Sequence, residues 1–424
     1  MTELINQKQE PGVIAMQYRT MPKSDEKLSV LGFGCMRLPS KGGGGIVSAI
    51  DKDRALAQVR YAIDNGVNYL DTAYPYHRGQ SESFLGEYVL KDGYREKVKV
   101  ATKLPCFFIN KKEKIEEIFK KQLKKLQLDS IDYYLLHSMN GPSWDKMLSF
   151  GIIEFMDKIQ REGKVRHMGF SFHGTYDAFI RIVDGYDWDF VQVQYNILDE
   201  NFQAGIRGIE YAASKGLGVI VMEPLRGGSL VGKMPKEIKA LYDSAPIKRS
   251  PADWAFRWIY NNPAVTLVLS GMNEEEHIKE NIRIASESLP ESLTEQELSI
   301  IEKVRSTYQN LMRVGCTGCA YCMPCPAGIN IPSAFKNLNN YYMFGKAGAK
   351  ISHLMSAGAT TDDWDFHWTS SCINCGKCEE ACPQDIPVRQ VFKDVQKSLE
   401  GPFIKLGARL ARPIMNRRNK DGNA

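Results

Sequence analysis

Short β-rich runs alternate with longer amphipathic stretches through the first three hundred residues. The runs are LSVLGFGC (28–35), VNYLDT (67–72), VKVATK (98–103), IDYYLLH (131–137), VRHMGFS (165–171), DFVQVQY (189–195), LGVIVME (217–223) and AVTLVLSG (264–271). Between them apolar residues recur at helical spacing, as in Ile115, Ile118, Phe119, Leu123 and Leu126. Eight β/α units over about 270 residues are the size of a (β/α)8, or TIM, barrel. A doubly wound sheet is the competing architecture, but it seldom uses eight consecutive parallel strands of this length.

The pattern changes after residue 290. Thr294 and Glu297 have the spacing of a capping box, and Leu293 with Leu298 that of a hydrophobic staple. They open a helix at about 294–310 whose stripe is Leu298, Ile301, Val304, Tyr308 and Leu311. The segment IPSAFKNLNNYYMFGKAGAKISHLM also reads as helical. The expected organisation is an N-terminal arm (1–27), a barrel (28–290), a connecting helix (291–312), a small, mainly helical module (313–395) and a basic tail (396–424). The glycine run 41–46 follows the first strand and falls on the carboxyl face of a barrel, where it is a linker or a flap.

Composition adds exclusions. The chain has 424 residues, 43% hydrophobic and 25% charged, which is globular and excludes a disordered or rod-like protein. A net charge of +5 over this length is no nucleic-acid signature. No window reaches the ~18 consecutive apolar residues of a membrane span. The polar N-terminus MTELINQKQEPG lacks the apolar core of a secretory signal, so a cytoplasmic location is expected. Ten cysteines then need a reason other than disulfides.

Their spacing supplies one. Cys35 and Cys106 stand alone, and eight others fall in two bursts. Cys372, Cys375, Cys378 and Cys382-Pro match the C-x2-C-x2-C-x3-C-P run of bacterial ferredoxins. Cys316, Cys319, Cys322 and Cys325-Pro repeat it with one residue fewer before the last cysteine. Two [4Fe–4S] clusters fit these runs best, with one cluster or zinc as the alternatives. Zinc sites pair C-x2-C units across a longer gap.

Polar residues stand at the strand ends, where barrels carry their chemistry. Asp71 ends the second run, with Tyr76 beyond it; Lys103 ends the third and His137 the fourth. A tyrosine beside a cationic lysine would have its phenolate favoured. With an aspartate holding the lysine and a histidine orienting an oxygen, this set would protonate a carbonyl as hydride arrives. Each residue alone has an ordinary reading as a surface or packing group. His77 reads as a partly exposed loop residue and Cys35 as a small buried one.

The run Asp71-Thr-Ala-Tyr-Pro-Tyr76-His-Arg-Gly-Gln-Ser81-Glu82 resembles the aldo-keto reductase signature D-T-A-x-x-Y-x-x-G-x-S-E. Lys103, His137, Gly169-Phe-Ser171, Gln192-Val-Gln-Tyr195-Asn196 and Glu280-Asn281 are similar to its later landmarks, in order. Together with the cysteine module, the chain resembles the iron–sulfur branch of that family. The resemblance implies Tyr76 as general acid, Lys103 and Asp71 as its tuners, and His137 as carbonyl orienter. It further implies Ser171 and Gln192 at a nicotinamide carboxamide, Pro224, Leu225 and Gly227 around a pyrophosphate, and Glu280 and Asn281 at an adenine. Phe172, Met222, Gly271 and His277 depart from the family's usual cofactor contacts, so NADP and NAD both stay open. Arg226 is a candidate phosphate contact.

Nicotinamide delivers two electrons together and a cluster passes one. Three functions follow. One is an NAD(P)H-dependent reductase of a small aldehyde or ketone, or the reverse alcohol oxidation. Another is a cluster-driven reductase fed by ferredoxin or another redox partner, in which the tetrad supplies protons. The third is a non-catalytic electron-transfer or regulatory subunit.

Overall fold

The computed structural model describes residues 15–41, 49–232, 234–316, 322–358, 366–382, 385–402 and 404–408. The chain forms two compact units, one of residues 1–227 and 249–298, the other of 228–248 and 299–424. Residues 228–248 thus cluster with the C-terminal part of the chain. Most of the glycine run (42–48) and the end of the tail (409–424) lie outside the described residues.

The first unit is the expected barrel. Two short strands, β1 (Tyr18–Thr20) and β2 (Lys27–Ser29), pair antiparallel ahead of it. Eight parallel strands follow: β3 (Leu31–Gly34), β4 (Tyr69–Asp71), β5 (Lys99–Leu104), β6 (Ile131–Met139), β7 (Val165–Phe172), β8 (Phe190–Gln194), β9 (Gly218–Met222) and β10 (Leu267–Ser270). They close in the order β10-β3-β4-β5-β6-β7-β8-β9. Each overlaps one run read from the sequence. The first run, 28–35, is divided, because its opening residues belong to the hairpin. That hairpin closes the barrel floor, where Met21 and Leu28 pack with Tyr69, Ala101, Tyr133, Leu135, Phe190, Ile220, Leu267 and Leu269. The described part of the N-terminal arm thus contributes β1 and the start of β2 to a plug.

Strand alternation converts this floor into a site. Successive side chains point to opposite faces, so residues two apart share one. Tyr69, Ala101, Leu135, Phe190, Ile220 and Leu269 are floor residues. Two residues on, at the carboxyl ends, stand Asp71, Lys103, His137, Gln192, Met222 and Gly271. The inward register that fills the core thereby lifts the polar groups above it.

The helix Glu113–Leu126 buries Ile115, Ile118, Phe119 and Leu126 as its periodicity requires. It also buries Gln122, whose amide donates to Glu82 at 2.7 Å and to the Lys103 carbonyl at 3.0 Å. Gly86 lets the preceding segment approach this helix, since a Cβ there would lie 2.5 Å from the Leu126 carbonyl.

In the second unit, Ile331–Met343 and Lys346–Gly358 form two helices, separated at Gly345, whose φ of 111° favours glycine. The helix Val388–Leu399 follows the second cysteine burst and runs past residue 395. Ile329, Ile331, Phe335, Leu338, Phe392, Val395 and Leu399 form the core, and Cys316, Cys322, Cys325, Cys372, Cys378 and Cys382 pack against it. The helix Glu295–Leu311 carries the capping box: Glu297 accepts from Thr294 N at 2.8 Å, and Thr294 Oγ1 accepts from Glu297 N at 3.3 Å. Ile301, Val304 and Tyr308 are buried, but Leu298 is 38% exposed, so the stripe starts one turn later than its spacing suggests.

Candidate active site

The carboxyl ends of the strands surround a cavity of about 460 Å³. Asp71, Tyr76, His137, Ser171 and Gln192 line it, with Gly34, Met222 and Gly271 among their neighbours. Lys103 lies beneath, only 1% exposed. Its ammonium donates to Asp71 Oδ1 at 2.6 Å, to the Thr72 carbonyl at 2.8 Å and to the Tyr76 hydroxyl oxygen at 3.4 Å. An ammonium has three N–H donors, and all three are engaged. The Tyr76 oxygen accepts from Lys103, which leaves its own hydrogen to be given to a group in the cavity. Gln192 Nε2 donates to the other Asp71 oxygen at 3.0 Å, so both carboxylate oxygens are held.

Burial changes the acidity expected from sequence. It pushes the Tyr76 phenol above its ordinary value, and the opposing attraction of Lys103 does not overcome it. Burial thus opposes the phenolate that the neighbouring lysine favours. Burial acts to lower the Lys103 value, but Asp71 and Tyr76 together outweigh it and the ammonium is held. Burial, then the charges of Lys103 and His173, pull His137 down to about 3. A neutral imidazole faces Tyr76 edge-on, with ring centres 6.0 Å apart, and its buried Nδ1 has no hydrogen-bond partner.

The signature loop has a structural half as well. Thr72 Oγ1 donates to Ser81 Oγ at 2.8 Å, and Ser81 donates to the Cys35 carbonyl at 3.2 Å. Glu82 accepts from Thr102 and Gln122, both at 2.7 Å. These bonds fasten the loop on both sides of Tyr76. His77 is 1% exposed, and its Nε2 accepts from Leu38 N at 3.1 Å. It is a buried joint of the loop, contrary to the partly exposed residue expected. Burial also pushes the Cys35 and Cys106 thiols upward, Cys106 to about 12, so neither is a ready thiolate.

The other predicted contacts are spread over the rim. Ser171 Oγ accepts from Ser138 N at 2.8 Å. Pro224 is buried, while Gly227 is exposed in a positive-φ turn. Glu280 accepts from the Ser250 hydroxyl at 2.6 Å, and buried Asn281 donates to Ser270 Oγ at 3.0 Å. Arg226, the candidate phosphate contact, is turned to Asp199 at 3.2 Å and 15% exposed. Cavity-lining Arg37 escaped the sequence reading. A Cβ on Gly227 would sit 3.4 Å from its guanidinium, and one on Gly271 would sit 3.5 Å from its Cβ. Arg78, Phe107 and His173 also line the cavity and were missed. The available signal was an arginine or an exposed aromatic in a strand-end loop.

In the second unit, Cys322, Cys325, Cys372, Cys375 and Cys378 line one small cavity with Ile331 and Phe392. Cys322 and Cys325 from the first burst thus join the three leading cysteines of the second. No described cysteine is in a disulfide. Cys319 lies outside the described residues. Such a donor set, soft and backed by an apolar core, suits iron and sulfide.

The Aldo/keto reductase family model matches residues 30–305, and that of a 4Fe-4S dicluster domain matches residues 315–386. Protein tas of Escherichia coli is 27% identical over 354 residues, spanning 69% of this chain and 99% of its own. L-galactose dehydrogenase of Arabidopsis thaliana is 27% identical over 318 residues, or 70% and 96%. Among solved structures, the aldo-keto reductase AKR11C1 of Bacillus halodurans superposes with a TM-score of 0.56 at 27% identity. It covers 68% of this chain and 96% of its own. Among the described residues no helix is long and apolar enough to cross a membrane.

Proposed function

The chain belongs to the aldo/keto reductase family, and on that footing we propose that it reduces an aldehyde or ketone with NADPH or NADH, or runs the reverse oxidation. The observation that carries this is the Asp71–Lys103–Tyr76 chain of hydrogen bonds ending in a cavity that His137 also lines. Tyr76 gives its proton to the carbonyl oxygen. Lys103 stays charged and stabilises the oxygen left on the tyrosine. Asp71 keeps Lys103 in register, and Gln192 in turn holds Asp71. Neutral His137 donates a hydrogen bond that orients the substrate oxygen.

A nicotinamide supplies the hydride when bound. A carboxamide needs a donor and an acceptor, and Ser171 O–H with Gln192 Oε1 offers both beside Tyr76. The Ser138 N–H donates to Ser171 Oγ and fixes that oxygen, and Asp71 fixes Gln192, so neither must reorganise. Arg37 is the cation available to the nucleotide's phosphates, in the place first given to Arg226. Asn281 supports the rim by bonding Ser270.

We assign one [4Fe–4S] cluster to Cys325, Cys372, Cys375 and Cys378, and a second to Cys316, Cys319, Cys322 and Cys382. Shared lining of one cavity supports grouping cysteines of both runs, and since Cys322 lines that cavity too, the choice of Cys325 as the fourth ligand rests on the ferredoxin pattern. The fourth cysteine of each run reaching the other cluster is the pattern of two-cluster ferredoxins. A ferredoxin or similar protein is the redox partner this module would take. Met222, lining the cavity at the end of β9, favours a second reading in which clusters, not nicotinamide, feed the site.

Anaerobic purification followed by NADPH and NADH oxidation against a carbonyl panel tests the proposal. Turnover that Tyr76→Phe abolishes supports it. No nucleotide binding, with turnover from reduced ferredoxin, would transfer the assignment to the second reading.

A further inference from the structure

The reading above leaves the substrate class open, and the cavity rim bears on it. Most barrel arginines find carboxylates. Arg54 pairs with Glu274 and Glu275, Arg60 with Asp92, Arg95 with Asp132 and Arg181 with Asp145. Arg37 and Arg78 are different. Both are exposed and line the cavity, and neither has an ion pair or hydrogen bond among the described residues. Lys103 and Asp71 cancel one another below them. Glu223 is the remaining lining carboxylate.

Position separates the two arginines. Arg37 leans toward Gly227 and Gly271, on the loops after β9 and β10. Arg78 follows β4, two residues from Tyr76, and its backbone sits at a φ of 55°. Glu223 follows β9, three strands away in the barrel order, so it is no built-in partner for Arg78. On the next loop, after β5, Phe107 is 50% exposed, and its ring centre lies 5.5 Å from that of His137. The side of the cavity beside the proposed acid therefore offers an uncompensated guanidinium and an aromatic wall. An unpaired cation beside a reacting centre raises the local concentration of anions and gives them a fork of donors.

Resting on the carbonyl-reductase reading, we propose that the substrate is an anionic carbonyl compound with an apolar body. Its carboxylate or phosphate group is bound by Arg78, while Phe107 packs on the body and the carbonyl meets Tyr76 and His137. Arg78 is a specificity-determining residue on this account. Charge-assisted hydrogen bonds contribute about 1.5–3 kcal/mol, which sets the size of the effects below at roughly 10- to 150-fold.

The test uses the intact, cluster-loaded protein and matched probes. Calorimetric binding compares phenylglyoxylate and phenyl phosphate with acetophenone in the wild type, Arg78→Met and Arg78→Lys. Either anion should bind better than acetophenone, and Arg78→Met should weaken that anion at least about 10-fold while leaving acetophenone within about 2-fold. Arg78→Lys should restore part of the loss, since it keeps the charge without the fork. The stronger of the two anions tells carboxylate from phosphate. Wild-type binding of neither anion, or equal losses for anion and neutral probe in Arg78→Met, would overturn the inference. Turnover is read separately: phenylglyoxylate and 1-phenyl-1,2-propanedione are offered with NADPH and NADH. Binding without turnover would count against the reductase reading and leave the anion site standing. Turnover that ignores the charge of the substrate would do the reverse.

Discussion

The two units build their reactive centres in opposite ways. In the barrel, the protein finishes the site itself. Lys103 is 1% exposed, its three donors are all matched, and Asp71 is held by two residues from different strands. In the second unit the reactive side chains are cysteines at the edge of a small core, Cys375 exposed and the others described only partly buried. A barrel fixes its polar groups through backbone ladders and a filled floor. A module of this size gains much of its order from the metal it binds, because binding and folding are one equilibrium there. The lesson is that a preorganised site tolerates the loss of its ligand, whereas the cluster module should not.

The largest expected effect strikes the barrel's chemistry without touching its structure. General acids contribute about 10²–10⁴-fold, so Tyr76→Phe should lower kcat for carbonyl reduction by about that factor. The ring stays, as does its edge contact with His137, and nucleotide affinity should change little. Stopped-flow single turnovers and nucleotide titration check the two halves; retained activity would remove Tyr76 from its role.

Next comes the support beneath it. Removing one partner of a buried ion pair costs about 3–5 kcal/mol, since the other charge stays buried. Lys103→Met leaves Asp71 facing only Gln192, and denaturant unfolding should show a loss of that size. Replacing both, Lys103→Met with Asp71→Leu, should recover much of the stability but none of the activity. If the single variant is as stable as the parent, the barrel centre is less tightly organised than its hydrogen bonds indicate.

In the second unit the same logic gives a different outcome. Cys325→Ser and Cys378→Ser should each eliminate the same spectroscopic cluster signal, and Cys382→Ser the other. Iron per chain should fall by about half in each, on the two-cluster assignment. Chelation of both clusters should unfold the module, with loss of helical circular dichroism, while the barrel transition survives. A single cooperative transition that vanishes with the iron would erase the contrast between the units.

How far the sequence revealed this design follows the same division. Eight strands were readable because buried parallel strands are dense in Val, Ile, Leu and aromatic residues, and because Asp71, Lys103 and His137 each stand where such a run stops. The Thr294–Glu297 box was readable because capping is local. The hairpin of β1 and β2 was not: three-residue strands carry too little alternation, and Met21 is buried by partners far away in sequence. Gln122 carried no signal in the chain, because the Glu82 and Tyr134 groups it bonds lie on other elements. Arg78 was passed over because an arginine in a loop signals nothing until the absence of a nearby carboxylate is visible. At Tyr76 the pull of the partner lysine was legible in the chain, and the burial that opposes it was not.

The smallest expected effect tests the quiet half of the signature loop. Glu82 is fully buried, and burial raises its carboxyl above the ordinary value against the pull of Thr102, Gln122 and Lys125. A raised folded-state value means that the native protein holds more protons than the unfolded one between the two values. Stability from this group is therefore greatest below the unfolded value and declines as pH rises through the folded one. Glu82→Gln keeps an oxygen to accept from Thr102 and the Gln122 amide, and loses only the attraction of Lys125 at 3.6 Å. Its stability should fall within about 1 kcal/mol of the parent, with a shallower decline between acidic and neutral pH. Urea midpoints of parent and variant at pH 5, 6.5 and 8 give that difference directly. Parallel pH profiles would mean that Glu82 titrates alike in both states and that its bonds to Thr102 and Gln122 offset the burial in full.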